Sequence, residues 1–98
     1  MQDLILPSND AADFLKSLAS PHRLRLLCLL VEGEKNVSEL VAGSGLPQSS
    51  VSQHLKKLKD EGIVDFTRTH RILTYRITDK DAARIFLVLH NRFCPKPE

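Results

Sequence analysis

The sequence predicts a mostly α-helical protein with a β-hairpin wing, a winged helix-turn-helix whose elements run α-α-α-α-β-β-α. Three observations predict this fold: two helical patterns joined by a glycine-bearing turn, a glycine stop after the second helix, and two strand-like segments around a basic bend. In a helix-turn-helix the second helix enters the major groove of DNA. The order of these segments therefore predicts a DNA-binding protein.

The second helix of the motif carries one narrow apolar stripe on an otherwise polar surface. Val51, Leu55 and Leu58 are spaced by four and then three residues, which matches the helical period. Pro47 is predicted in the first turn of this helix, and Gly62 is predicted to end it.

The polar residues of this helix are candidates for DNA contacts, because Ser, Gln and Lys side chains donate to base edges and phosphate oxygens. Any solvent-facing helix is polar, so the helix alone leaves an ordinary surface helix as an open alternative. For the histidine at position 54, a hydrogen bond that packs the helix is an equal alternative. The predicted contacts are Gln48, Ser49, Ser50, Ser52, Gln53, His54, Lys56 and Lys57.

The first helix of the motif begins at a capping box. Asn36 and Glu39 have the spacing at which each side chain accepts a hydrogen bond from the other residue's backbone N–H. Gly43 and Gly45 are predicted to break this helix and to form the turn.

Three further helices are predicted outside the motif. One runs from about residue 9 or 10 to Leu18, and a second is capped by Ser20, begins at Pro21 and continues through Val31. The last begins near residue 78 or 79 and continues to Cys94.

The wing is predicted from residues 63–69 and 72–78, which are rich in the β-branched and aromatic residues that favour strands. His70 and Arg71 lie at the bend between them. A basic hairpin tip beside the recognition helix can reach the DNA backbone, so Arg68, His70 and Arg71 are predicted to contact phosphate, with Arg76 as a further candidate.

Length and composition predict one domain over residues 1–98, with an ordered core at about 9–94. The net charge is only +2, but residues 47–76 hold six Lys and Arg against three Asp and Glu. Neither a membrane-spanning segment nor a secretory signal is recognisable, so we expect a cytoplasmic protein without a membrane partner. No phosphate-binding loop, paired carboxylates or activated nucleophile is present, so neither an enzyme nor a cofactor is predicted.

The last helix is apolar around most of its circumference, which is more than so small a core can bury. Its surplus apolar face predicts a homodimer. A twofold dimer would present two recognition helices to successive half-sites on double-stranded operator DNA. The apolar positions are Ala82, Ile85, Phe86, Leu87, Val88, Leu89 and Phe93.

Across roughly residues 10 to 94 the chain resembles the ArsR/SmtB winged-helix repressors, most specifically at residues 21–24 (Pro-His-Arg-Leu) and 51–55 (Val-Ser-Gln-His-Leu). The resemblance implies a dimeric repressor that leaves its operator when an inducer binds. Some members of the family instead help to turn genes on by displacing other proteins. A winged-helix module that binds proteins and has lost DNA binding is a further alternative.

The resemblance also bears on the inducer. Metal-sensing members carry a Cys-x-Cys before the recognition helix, or Asp and His pairs on the closing helix. Here residues 34–39 contain no cysteine, and Asp79, Asp81 and His90 do not complete a four-ligand set. No metal site is therefore predicted.

Cys28 and Cys94 are the two cysteines of the chain. The chain resembles the dithiol persulfide-sensing subgroup of the family, the BigR- and SqrR-like repressors, which has cysteines in these two settings. That resemblance implies redox sensing of reactive sulfur species, persulfide or polysulfide, through a Cys28–Cys94 pair. From the residues alone, Cys28 could be an ordinary packed apolar residue, whereas Cys94 precedes proline at an accessible helix end. The alternatives are another oxidant or a metal(loid) as inducer, or no effector and passive cysteines.

Two histidines outside the motif have open roles. His22, in a first turn, is interpreted as a local structural contact. His90, one turn before Cys94, either tunes that thiol or belongs to the dimer surface.

Overall fold

The computed structural model describes residues 8–93, and the predicted order of four helices, a hairpin and a closing helix is confirmed. The structure adds one short strand that the sequence pattern did not show. The elements are α1 (Ser8–Ala19), α2 (Pro21–Val31), β1 (Lys35–Asn36), α3 (Val37–Ser44), α4 (Gln48–Asp60), β2 (Val64–Thr69), β3 (Ile72–Ile77) and α5 (Lys80–Phe93).

The capping box at the start of α3 is confirmed. The backbone N–H of Glu39 donates to the Asn36 side chain, and the N–H of Asn36 donates to the Glu39 carboxylate, both at 2.8 Å. Gly45 ends the helix in a left-handed conformation with φ 73°, which glycine adopts without steric cost.

Gly43 does not break α3, so that prediction is wrong. It lies inside the helix, where a Cβ would come within 3.0 Å of the Leu29 side chain of α2. Glycine at this position therefore allows α2 and α3 to approach each other closely, and it does not end α3.

Two of the predicted starts differ in detail from the structure. Ser20 has N-cap geometry before α2, but its side chain makes no capping hydrogen bond. Pro47 is itself the N-cap of α4, with ψ 150°, rather than a residue of its first turn. Asp79 lies just before α5 and accepts a hydrogen bond from the N–H of Ala82 at 2.8 Å, as an N-cap does. The predicted end of α5 at Cys94 lies outside the described residues.

The wing belongs to a three-stranded antiparallel sheet in the order β1-β3-β2. The hairpin pairs Val64 with Ile77 and Thr69 with Ile72, so a two-residue turn of His70 and Arg71 joins the strands. His70 has φ 59°, a left-handed conformation that the tight turn requires. Because β1 has only two residues, no alternating pattern could reveal it.

The core fixes which side of α4 faces outward. The side chains of Val51, Leu55 and Leu58 are fully buried, each with 0% of its surface exposed. They pack in one cluster with apolar residues from the other helices and from the wing. Since the stripe is completely buried, the polar residues of α4 remain at the surface. No helix in residues 8–93 has the length and apolar character needed to cross a bilayer.

Candidate DNA-binding surface and cysteine site

The recognition helix α4 presents most of the predicted contact residues to solvent. Gln48, Ser49, Ser52, Gln53, Lys56 and Lys57 are exposed. Ser50 and His54 are half-buried instead, because they lie closer to the buried stripe. The exposed residues form a polar ridge, whereas Ser50 and His54 lie on its flank.

The structure brings one edge of this ridge close to the wing tip. Gln48 and Ser52 line a groove of about 340 Å³ together with Arg71 of the turn and Ser38 of α3. Amide and hydroxyl groups thus lie beside a guanidinium, a combination of groups suited to base edges and phosphates. Such an arrangement lets one DNA duplex contact the helix and the wing together.

The wing cations differ in how free they are to contact DNA. Arg68, His70 and Arg71 are exposed. Arg76, the further candidate, donates a hydrogen bond from Nη1 to the Thr67 hydroxyl at 2.9 Å and is half-buried. The geometry therefore favours the first three as phosphate contacts and assigns Arg76 to the pairing of the two strands.

Lys56 is paired within its own helix. Its Nζ lies 3.4 Å from a carboxylate oxygen of Asp60, and both side chains are largely exposed. An exposed pair of this kind is weak. Lys56 can therefore exchange this carboxylate for a phosphate at small cost.

His54 packs edge-on against His22 at the start of α2, with 5.5 Å between ring centroids. Burial lowers the pKa of His54, and the nearby charges of Arg23, His22 and Lys57 lower it further. The imidazole is therefore neutral near pH 7. In this form it can donate a hydrogen bond to a base edge or accept one from it, but it does not act as a cation toward phosphate. The local contact predicted for His22 is thus a contact with the recognition helix.

The lowered pKa of His54 predicts an acid-sensitive stability. In the unfolded chain this histidine takes up its proton near pH 6.5, whereas in the folded chain it does so at lower pH. Unfolding therefore binds protons, and stability falls as the pH falls through that window. When the pH is lowered from 7.5 to 5.5, we expect the free energy of unfolding to decrease less for His54→Gln than for the wild type. The measurement is urea denaturation at one protein concentration. His70→Gln, at the exposed wing tip, is the matched control and should follow the wild type; identical slopes for all three proteins would contradict the prediction.

Arg23 has a structural role that the sequence did not predict, although it lies in the motif that carries the resemblance. It is 8% exposed, donates from Nη1 to the carbonyl of Ser17 at 3.0 Å, and lies 3.6 Å from the Glu61 carboxylate. It thus ties the end of α1 to the end of α4. Only the tertiary contacts reveal that this cation is structural.

Cys28 is half-buried on α2 and forms part of the wall of a cavity of about 630 Å³ between α2, α3 and α5. Its neighbours in the wall include Leu24, Leu89 and Phe93. Cys94, the predicted partner, lies outside the described residues.

His90 connects α5 to α2 beside this cavity. Its Nε2 lies 3.4 Å from the carboxylate of Glu32, the residue that caps the end of α2. The side chain of His90 is 17% exposed, and its Nδ1 is buried without a hydrogen-bond partner in the described part of the chain. Within residues 8–93, no three His, Cys, Asp or Glu side chains group closely enough to hold a metal ion.

Comparison with known proteins identifies the family. The family model described as "Bacterial regulatory protein, arsR family" matches residues 20–65. The biofilm growth-associated repressor of Xylella fastidiosa is 40% identical over 93 residues, which cover 95% of this chain and 82% of that protein. The crystal structure of the transcriptional repressor BigR from Xylella fastidiosa is similar with a TM-score of 0.80 and 40% identity, covering 91% of each chain.

Two further proteins are similar over most of their length. The transcriptional activator HlyU of Vibrio cholerae is 31% identical over 94 residues, which cover 96% of this chain and 87% of that protein. The structure of its reduced form has a TM-score of 0.87 at 30% identity, covering 97% of this chain and all of that chain (100%). A homodimeric winged helix-turn-helix DNA-binding domain from Mycobacterium bovis has a TM-score of 0.75 at 32% identity, covering 87% of this chain and 79% of that one.

Since relatives of this identity span nearly the whole chain, the protein belongs to the arsR family of bacterial regulatory proteins, which confirms the predicted winged helix-turn-helix DNA-binding regulator.

Proposed function

We propose that the protein is a homodimeric transcriptional repressor and that reactive sulfur species switch its operator affinity through Cys28 and Cys94. The observation that carries the proposed switch is the contact between α2 and α5, which defines how these helices face each other around Cys28. A repressor is favoured over an activator because the Xylella fastidiosa relative, which has the higher identity of the two, is a repressor.

The two helices pack side by side. Leu24, Cys28 and Glu32 of α2 line one cavity together with Phe86, Leu89 and Phe93 of α5. Leu30 of α2 and Ala83 of α5 line a different groove.

The contact between Glu32 and His90 joins the two helices. Cys28 lies one turn before Glu32 on α2, and residues four apart lie on the same face of a helix. In the sequence, Cys94 follows His90 by four residues. The contact thus joins the α2 face that carries Cys28 to the part of α5 that precedes Cys94 in the sequence, which supports the two cysteines as a reacting pair.

The proposed chemistry is a thiol–disulfide exchange with a polysulfide as the oxidant. One cysteine thiolate attacks a polysulfide sulfur, an S–S bond of the polysulfide breaks, and the shorter sulfur chain leaves with the electron pair and takes up a proton. The thiolate of the second cysteine then attacks the sulfur of the modified cysteine, forms the protein disulfide and expels hydrosulfide. The two thiols lose two electrons and two protons, and the polysulfide gains the electrons. If the first step leaves two added sulfur atoms on the cysteine, the second thiolate attacks the inner of the two and expels hydrosulfide, and the bridge then retains one extra sulfur atom.

The bridge is expected to act on DNA through the dimer. Leu87 and Val88 of α5 are 50% and 66% exposed, and such a face is suited to a second copy of the chain. The homodimeric Mycobacterium bovis domain supports this assembly. A bridge that ties α5 to α2 would shift α5 at the seam and change the spacing of the two recognition helices, which must match half-sites about 34 Å apart.

The proposal is tested by operator affinity in two redox states. The probe is a duplex selected by the reduced protein from a random-sequence pool, and the salt concentration is held constant because phosphate contacts make affinity depend on it. Sodium tetrasulfide treatment is expected to weaken binding about 5- to 150-fold, the usual range of allosteric coupling, and dithiothreitol to restore it. Equal affinities in both states would refute the switch, and selection of no duplex would refute the DNA-binding function.

A further inference from the structure

One exposed apolar side chain lies on the DNA-binding side of the molecule. Within residues 8–93, five large apolar side chains are exposed, and four of them lie on α1 and α5. The fifth is Ile72, the first residue of β3, with 53% of its surface exposed. A single exposed apolar residue needs no explanation by itself, so its surroundings decide whether it has a role.

Ile72 lines the groove of about 340 Å³ between α4 and the wing, which we call the wing groove. Gln48 and Ser52 of the recognition helix line the same groove. Its other apolar residues are Val37 and Leu73, and both also pack against the core. The wing groove therefore joins apolar surface to the amide and hydroxyl groups that the recognition helix presents to DNA.

The hairpin holds Ile72 at a defined position. This residue directly follows the two-residue turn and pairs with Thr69 across the hairpin, so the strand ladder fixes its backbone. A β-branched side chain also has few rotamers. The apolar group is therefore presented in one place beside α4, as discrimination between bases requires.

The bases of DNA offer one apolar group to such a side chain. The second helix of a helix-turn-helix enters the major groove of DNA. Because Ile72 shares the wing groove with Gln48 and Ser52, docking of α4 brings it toward the same base edges. In the major groove only thymine presents a methyl group, and the minor groove presents none. An apolar contact at this place therefore distinguishes thymine from the other bases.

We propose that Ile72 is a specificity-determining residue that contacts the C5 methyl group of one thymine in each half-site. This inference rests on DNA binding in the proposed function and adds a base preference to it, and it does not involve the cysteines. Arg71, the preceding residue, keeps its predicted phosphate contact. The wing thus contributes both to the position of the protein on the duplex and to the reading of its sequence.

The test replaces thymines of the duplex by uracil, which forms the same base pair but lacks the C5 methyl group. The duplex is the one that the reduced protein selects from a random-sequence pool, and each thymine is replaced in turn at the equivalent position of both half-sites, at constant salt. For the wild type we expect weaker binding at one such position, by about fourfold per half-site, which corresponds to about 0.8 kcal/mol for one buried methyl-sized group. Ile72→Ala should bind the thymine and uracil duplexes equally at that position.

Two further variants separate a base contact from a change in the hairpin. Ile72→Val keeps a branched apolar side chain and should keep most of the difference between thymine and uracil. Thr69→Ala shortens the residue paired with Ile72, which is exposed and does not line the wing groove, so it should keep the wild-type ratio whatever its effect on overall affinity.

The outcomes distinguish this inference from the proposed function. A ratio of thymine to uracil affinity that is the same in Ile72→Ala as in the wild type at every position would overturn the role of Ile72, while DNA binding would stand. A selected duplex in which no thymine replacement weakens binding would overturn it as well. Selection of no duplex at all would refute the proposed DNA binding and this inference with it.

Discussion

A chain with aspartate at both Leu87 and Val88 is expected to sediment as a monomer at micromolar concentration, whereas the wild type sediments as a dimer. Both side chains are at least half exposed on α5, so the substitutions disturb little of the monomer core. Two carboxylates on each chain would lose hydration and repel each other across the proposed seam. The measurement is sedimentation equilibrium at matched concentrations.

Loss of the dimer should also weaken DNA binding by about 100-fold or more, because the second half-site contact is no longer intramolecular. Ile72→Asp is the matched control for the mass measurement: Ile72 is 53% exposed but lies at the start of β3, away from α5. It should remain a dimer. A wild type that sediments with the mass of one chain would contradict the proposed assembly, and so would a dimeric Leu87→Asp, Val88→Asp variant.

Cys28→Ser is expected to bind the operator in its reduced form about as tightly as the wild type and to lose the whole response to tetrasulfide. Cys28 is on α2, away from the polar ridge of α4 and the wing tip, so reduced-state affinity should change less than twofold by our estimate. Without its sulfur no bridge can form, and the expected 5- to 150-fold loss of affinity on oxidation should disappear. The measurement is duplex affinity before and after treatment.

Two further variants separate the chemistry from packing. Cys28→Ala keeps the wall of the cavity apolar and should lose the response as fully as Cys28→Ser. Cys94→Ser should lose the response as well, because it removes the other sulfur of the proposed bridge. A variant of either cysteine that still responds with the wild-type amplitude would show that the thiols are passive.

The elements that the sequence predicted well are those specified by local chemistry. The stripe of Val51, Leu55 and Leu58 identified both the helix and its buried side, because burial on one face imposes the helical period on apolar residues. The capping box at Asn36 and the hairpin bend at His70 also depend on neighbours in the chain. Such signals lie within a few residues, so a single sequence contains them.

The errors concern residues whose role depends on a distant partner. Gly43 was predicted to break a helix, yet the approach of Leu29 from another helix explains it. For His54 the sequence left a DNA contact and a packing contact as equal alternatives; the ring of His22 lies against it and contributes to its lowered pKa, while the DNA contact stays a prediction. The predicted DNA contacts themselves stay predictions, since their exposure does not show which of them meets a base.

The sequence by itself determined the fold class, the polar face of the recognition helix, the basic wing tip and the family resemblance, because periodicity, caps and motifs are local properties of the chain. Only the tertiary structure decided that Arg23 joins the end of α1 to the end of α4, that Glu32 meets His90, and that an apolar cavity opens beside Cys28. These features arise where helices distant in sequence pack together. The relative positions of such helices are set by the packing of large side chains against one another, which no local sequence pattern contains.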